Sequence, residues 1–150
     1  MHTCFEVADF FIANTDQDDE MTMLKLQKLC AYAQGFSLAL LGRALFGNEL
    51  KAYTHGPVVQ ELYEEYRSEG RNPLTSALSR QDVRLPFSGE ELYILETVNN
   101  YYGAYTPSRL RNMSHEDFPG KFGTQEVIPM SAVKARFSEN RVVKAIEGGC

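Results

Sequence analysis

The chain has 150 residues, 43% of them hydrophobic, and no low-complexity tract, which is the make-up of one folded domain able to bury a core. Its formal charge of −5 lies wholly in the first half, where residues 1–75 carry 6 Lys/Arg against 11 Asp/Glu, while residues 76–150 carry 9 of each. That balance, with no basic cluster among aromatics, argues against direct nucleic-acid binding and for a basic protein partner; no apolar run approaches the roughly 20 residues that cross a bilayer.

MHTCFEVADFFIAN carries Glu6 and Asp9 and no basic leader, so it does not read as a signal peptide, and a cytoplasmic location is expected. Within it Phe5, Ala8, Phe11 and Ile12 recur at helical spacing behind Thr3 as a cap, predicting a short helix over 4–13. His2 is expected to be disordered beside the terminus. The polar run NTDQDDE ends this helix. Thr22 then caps a long one, MLKLQKLCAYAQGFSLALLG, closed by Gly42. Leu26, Leu29, Ala33, Phe36 and Leu40 form one stripe, widened by Met23, Cys30 and Leu41, and the polar face reduces to Lys25 and Lys28. A helix apolar over most of its circumference is buried on several sides, so this one is expected at the centre of the domain.

RALFGNELKAY holds too many turn residues for a helix and suits short extended segments. Pro57 fits the first turn of a helix, where its missing N–H would be unpaired anyway, and Val58, Val59, Leu62, Tyr63 and Tyr66 follow at helical spacing as far as Gly70. Residues 71–87 read as irregular. Ser88 and Glu91 form a capping box for a helix with Leu92, Leu95, Val98 and Tyr102 inward. Thr106-Pro107 starts the short helix SRLRNM, SHEDFPGKFGTQEV reads as a loop, and IPMSAVKARFSE and about 139–146 read as the last helices. The expectation is mainly α: a single compact helical domain over residues 1–150, with a long buried central helix and room for a small β element.

No strong catalytic motif is present. His55 and His115 lack metal-binding spacing, there is no Gly-rich phosphate loop, and the three cysteines (Cys4, Cys30, Cys150) form no CxxC. Free thiols, no metal and no cofactor are expected. Glu61, Glu64 and Glu65 read as a solvated helix face. Seven tyrosines between Tyr53 and Tyr105, without any tryptophan, are more telling, because exposed tyrosine marks protein-binding surfaces.

Taken together, KLQKLCAYAQGF, RALF, KAYTHGPVVQELYEEYRSEG and RLRNMSHEDFP resemble the Panacea antitoxin domain, the SocA-like, phage-associated family found in prophages and toxin–antitoxin operons. The resemblance spans roughly residues 5–138. Tyr53 takes the place of the aromatic that precedes the family's GPV, and Gly120 stands where its pattern has a tryptophan. The resemblance implies a compact, largely helical domain that binds a cognate toxin protein and neutralises it, and with no catalytic motif present the expectation is a non-enzymatic antitoxin. In one branch it implies an adaptor delivering the toxin to a Clp-type protease. The partner-binding candidates are Tyr53, His55, Gly56, Pro57, Val58, Tyr63 and Tyr66, with His115 and Phe118 as a second patch. For THGPVV two readings stand side by side: a device that launches a helix at a fixed angle, and a surface that a partner contacts. A small hydrolase using His55 or His115 is the rival from another class.

Overall fold

The computed structural model describes residues 1–16, 20–120 and 122–148; Cys150, Asp18 and Asp19 lie outside them. Helix starts follow local chemistry. Helix α1 (Cys4–Ala13) begins on a capping box in which the Thr3 hydroxyl accepts from the Glu6 N–H and the Glu6 carboxylate accepts from the Thr3 N–H. Thr22 caps α2 (Met23–Leu40), and Gly42 beyond its end takes φ +73, a region open to glycine. Ser88 and Glu91 box the start of α4 (Gly89–Tyr102), and Thr106 with Pro107 opens α5 (Pro107–Asp117).

Between α2 and α4 the chain forms strands β1 (Leu50–Tyr53) and β2 (Gly56–Val59), then helix α3 (Gln60–Tyr66). The strands pair antiparallel, Leu50 against Val59 and Tyr53 against Gly56, around the turn residues Thr54 and His55. A short β3 (Val127–Ile128) adds on the other side of β1, giving the order β2-β1-β3. Pro57 therefore does not start a helix. It sits in an edge strand, the place in a sheet that tolerates a residue without an N–H. Helices α6 (Met130–Phe137) and α7 (Arg141–Gly148) complete the chain.

Helix α2 organises this arrangement by packing against the six other α-helices and β2. Leu26, Leu29, Cys30, Ala33 and Phe36 are fully buried, as the apolar stripe predicts. Lys25 and Lys28 correct the expectation of a polar face, because both are buried too. At the far end of α2 five aromatic rings join four segments. Tyr32 stacks on Tyr102 of α4 at 4.2 Å, and Phe118, Phe137 and Phe36 close around them edge-on. The Tyr32 hydroxyl donates to the Asp117 carboxylate at 2.5 Å, tying α2 to the end of α5. Ser114–Asp117, expected in a loop, is the last turn of α5; the ring of Phe118 and that hydrogen bond hold it in place.

The N-terminus is likewise ordered. His2 donates its backbone N–H to Leu45 and accepts from Gly47, its ring lies 4.6 Å from Phe87, and its Nε2 is 2.9 Å from Glu91. Burial alone would raise the Glu91 carboxyl; the Ser88 N–H and His2 outweigh it and hold the group below its ordinary value.

Two tests follow from this packing. A Cβ on Gly35 would lie 2.6 Å from the Phe137 ring, so α2 and α6 meet only because that position is bare. Gly35→Ala should cost roughly 1–3 kcal/mol by overpacking, read from urea melts, despite alanine's better helix propensity. A gain in stability would show that the two helices pack less closely than this. Cys30 is fully buried, and burial also pushes the Cys4 thiol up to about 12. Both should resist thiol reagents until the protein unfolds, whereas rapid native labelling of Cys30 would misplace α2.

Candidate functional site

Gln27, Lys28, Gln34 and Ser37 of α2 turn inward onto the hairpin and the loop before it. Gln27 donates to the Val59 carbonyl at 2.9 Å and accepts from the Val59 N–H at 2.8 Å, standing where a further strand would pair with β2. Lys28 reaches the next outward-facing carbonyl of the same strand, Pro57 O, at 3.0 Å. One heptad beyond Gln27, the Gln34 amide accepts from the Leu45 and Phe46 N–H groups and donates to the Phe46 carbonyl. Buried donors and acceptors that would otherwise be orphaned are satisfied this way. The angle at which the hairpin leaves the core is thus fixed by two side chains of the central helix.

Where β2 begins, Gly56 has φ +102, and a Cβ there would lie 2.5 Å from Ser114 Oγ of α5 and 3.3 Å from Lys28 Nζ. Hairpin, α2 and α5 meet at this point. It brings together two candidate patches that are far apart in sequence, the one around His55 and the one around His115. Both histidines are exposed. Gly56 and Pro57 are buried beneath the turn and Val58 is half-buried, so among THGPVV only Thr54 and His55 face outward fully.

The tyrosines divide. Tyr53 is half-buried, its hydroxyl donating to Gln60 at 2.7 Å and so tying β1 to the start of α3. Tyr66 packs on the core, and burial beside Asp9 pushes its hydroxyl up to about 12. Tyr63, 41% exposed, remains open together with Glu61, Glu64 and Glu65. Tyr93 and Tyr101 on α4 are more exposed still, at 52% and 53%; the tyrosine content announced such a subset without saying which members it held.

In the second patch Phe118 is a correction. Only 3% exposed, it belongs to the aromatic core rather than the surface. Its edge, with His115 and Glu116, borders an open groove of about 820 Å³ floored by Ala132 and Ala135 of α6. Gly120 lies on the rim of that groove with nothing within 4 Å of the place a Cβ would occupy.

Sequence reasoning missed Lys28 and Arg111. Lys28 is wholly buried with a single carbonyl acceptor; burial first, and then the Arg111 cation, pull its pKa down to about 7. Arg111, on α5 one turn before Ser114, buries its Nε with no acceptor among the described residues. The spacing of Gln27 and Gln34, seven residues apart on an otherwise apolar helix, was the available signal that this face of α2 meets backbone. Among the described residues no three His, Cys, Asp or Glu side chains gather closely enough to hold a metal ion.

A family model for the antitoxin SocA-like Panacea domain matches residues 26–119, more than half of the chain. The matched stretch runs from the first turns of α2 to the end of α5 and includes the hairpin and both histidines. Neither the curated proteins nor the solved structures yield a match.

Lys28 makes a pH test of this geometry possible. Its folded value near 7 lies below the 10.5 of an ordinary lysine, so between those limits the unfolded chain holds a proton that the folded chain does not. Stability from this group therefore rises with pH across that window and is lowest below pH 7. The difference in unfolding free energy, wild type minus Lys28→Met, should climb steadily between pH 7 and 9.5 in urea melts. A pH-independent difference would mean that Lys28 keeps a normal affinity for its proton.

Proposed function

The chain belongs to the antitoxin SocA-like Panacea domain family, and from that premise we propose that it is a non-enzymatic antitoxin that neutralises a toxin protein by direct binding. The observation that carries this reading is how the central helix of the matched stretch spends its polar side chains. Gln27, Lys28 and Gln34 all bond to backbone of the hairpin or the loop before it, and Tyr32 bonds to Asp117. These groups shape and hold a surface. What they present is the turn at Thr54 and His55, joined through Tyr53 and Gln60 to the acidic, tyrosine-bearing helix α3. Tyrosine suits this role, since it supplies large contact area at low entropic cost, and the carboxylates beside it favour a basic partner. The partner is the protein encoded beside this chain, in the manner of toxin–antitoxin pairs.

Tyr63 is the clean probe of this surface, because Tyr53 and Tyr66 also hold the fold together. Tyr63→Ala should weaken binding of the toxin by about 1–3 kcal/mol with an unchanged melting temperature. His55→Gln retains size and hydrogen bonding and should be nearly silent. Growth on co-expression with the neighbouring gene product reads both. Loss of protection by folded His55→Gln, with Tyr63→Ala still protecting, would favour histidine chemistry over binding.

A further inference from the structure

A hydrogen-bonded relay crosses from the sheet to the exposed side of α3. The Tyr53 hydroxyl of β1 donates to Gln60 Oε1 at 2.7 Å, and Gln60 Nε2 donates to Glu64 Oε1 at 3.3 Å. Its polarity is forced. An ionised carboxylate only accepts, so the amide turns its N–H to Glu64 and its oxygen to Tyr53, whose hydroxyl must then donate. Tyr53 and Gln60 are half-buried and Glu64 is exposed, so the relay runs from the fold outward. Its effect on charge differs from that of an ion pair. Glu96 and Glu139 are each held by a cation, Arg84 and Lys144, which cancels their charge. Among the described residues Glu61, Glu64 and Glu65 enter no ion pair, and of the three Glu64 is the one whose carboxylate a side-chain hydrogen bond holds. A neutral amide thus steadies one oxygen of Glu64 and leaves its negative charge uncancelled.

We infer that Gln60 is a positioning residue: steadied by Tyr53, it holds the Glu64 carboxylate in place for a basic side chain of the protein this chain binds. The inference rests on the toxin-binding reading and names the carboxylate of α3 that sets specificity. An exposed glutamate samples several rotamers, and fixing one on binding costs affinity unless the free protein has fixed it already. The relay makes that restriction before the partner arrives. Its place agrees with the proposed surface, for Glu64 adjoins exposed Tyr63 and the anchoring Tyr53 lies two residues from exposed His55. A lysine or arginine that meets Glu64 gains a charge-assisted hydrogen bond, whereas an acidic residue there meets an uncancelled like charge. A Gln–Glu pair four residues apart adds little to helix stability, so the weight of the relay falls on orientation rather than on the fold.

Spectra of the free protein test the relay, and binding tests its use. In ¹H–¹⁵N spectra the Gln60 side-chain amide, assigned by its disappearance in Gln60→Met, should shift as acid protonates Glu64, and Glu64→Gln should abolish that shift. An amide that ignores acid in the wild type, or shifts equally in Glu64→Gln, overturns the inference. Against the neighbouring gene product, Gln60→Met and Tyr53→Phe should each weaken binding roughly two- to tenfold, the worth of holding one side chain in advance. Gln60→Met should melt as the wild type does; Tyr53→Phe, which removes one hydroxyl, serves if the methionine variant does not fold. Because both break one unit, the double variant should lose little more than either alone. In a Glu64→Gln background Gln60→Met should be silent, which a merely structural role for Gln60 would not produce. Equal losses from Gln60→Met with and without the Glu64 charge overturn the inference, as does wild-type affinity in both relay variants, and toxin binding stands in either case. Failure of the wild type to bind sinks the toxin reading and the inference with it.

Discussion

A helix enclosed on every side must satisfy each polar side chain it carries from within the protein, and α2 is such a helix. Water cannot reach Gln27, Lys28, Gln34 or Ser37, and leaving any of their donors or acceptors unpaired would cost on the order of 1–3 kcal/mol. The rest of the chain is arranged to supply the partners. The loop before β1 folds back so that Phe46 and Leu45 meet Gln34, and the Arg43 carbonyl accepts from Ser37. The outer edge of β2 comes to Gln27 and Lys28. A three-stranded sheet this small would have little reason to keep one orientation on its own. Hydrogen bonds from the central helix give it one.

The same bonds protect the sheet. An edge strand offers unpaired backbone to any passing chain, and here the amide of Gln27 and the ammonium of Lys28 occupy that edge. What is left for a partner is therefore the turn and the side chains around it, presented at an angle the core determines. This division fits the proposed role of binding another protein. The anchoring is inside, rigid and hydrogen-bonded, and the exposed part is a two-residue turn and one face of a short helix. Among the described residues, Arg111 Nε is the buried side-chain polar atom that lacks a hydrogen-bond partner, and it lies beside the desolvated Lys28.

Much of the fold was legible along the chain, because helix starts are local. Thr3, Thr22, Ser88 and Thr106 each cap through an N–H three residues on, a contact set by neighbours in sequence alone. The apolar stripe of α2 likewise announced its burial. The readings that failed concern positions where a distant residue decides. Pro57 suits a helix start as well as it suits an edge strand, and the pairing of Ala52 opposite it is what selects the strand. Ser114–Asp117 looks like a loop until Tyr32 supplies a donor for Asp117 from 85 residues away. His2 has no reason to be ordered except Glu91, Phe87 and the backbone of Leu45.

The candidate site shows the same boundary. Residue types determined that the turn at His55, the tyrosines and the Gly-Pro pair would matter to the surface, since turn preference and aromatic content are properties of the residues themselves. Which tyrosines face outward, and that Phe118 does not, depended on how helices meet. Lys28 and Arg111 mark the limit most clearly. In sequence each is a cation on a helix and belongs, by the ordinary rule, in water. Only the closure of α5 and the hairpin over α2 removes that water, and burial is a property of the assembled fold that no single segment carries.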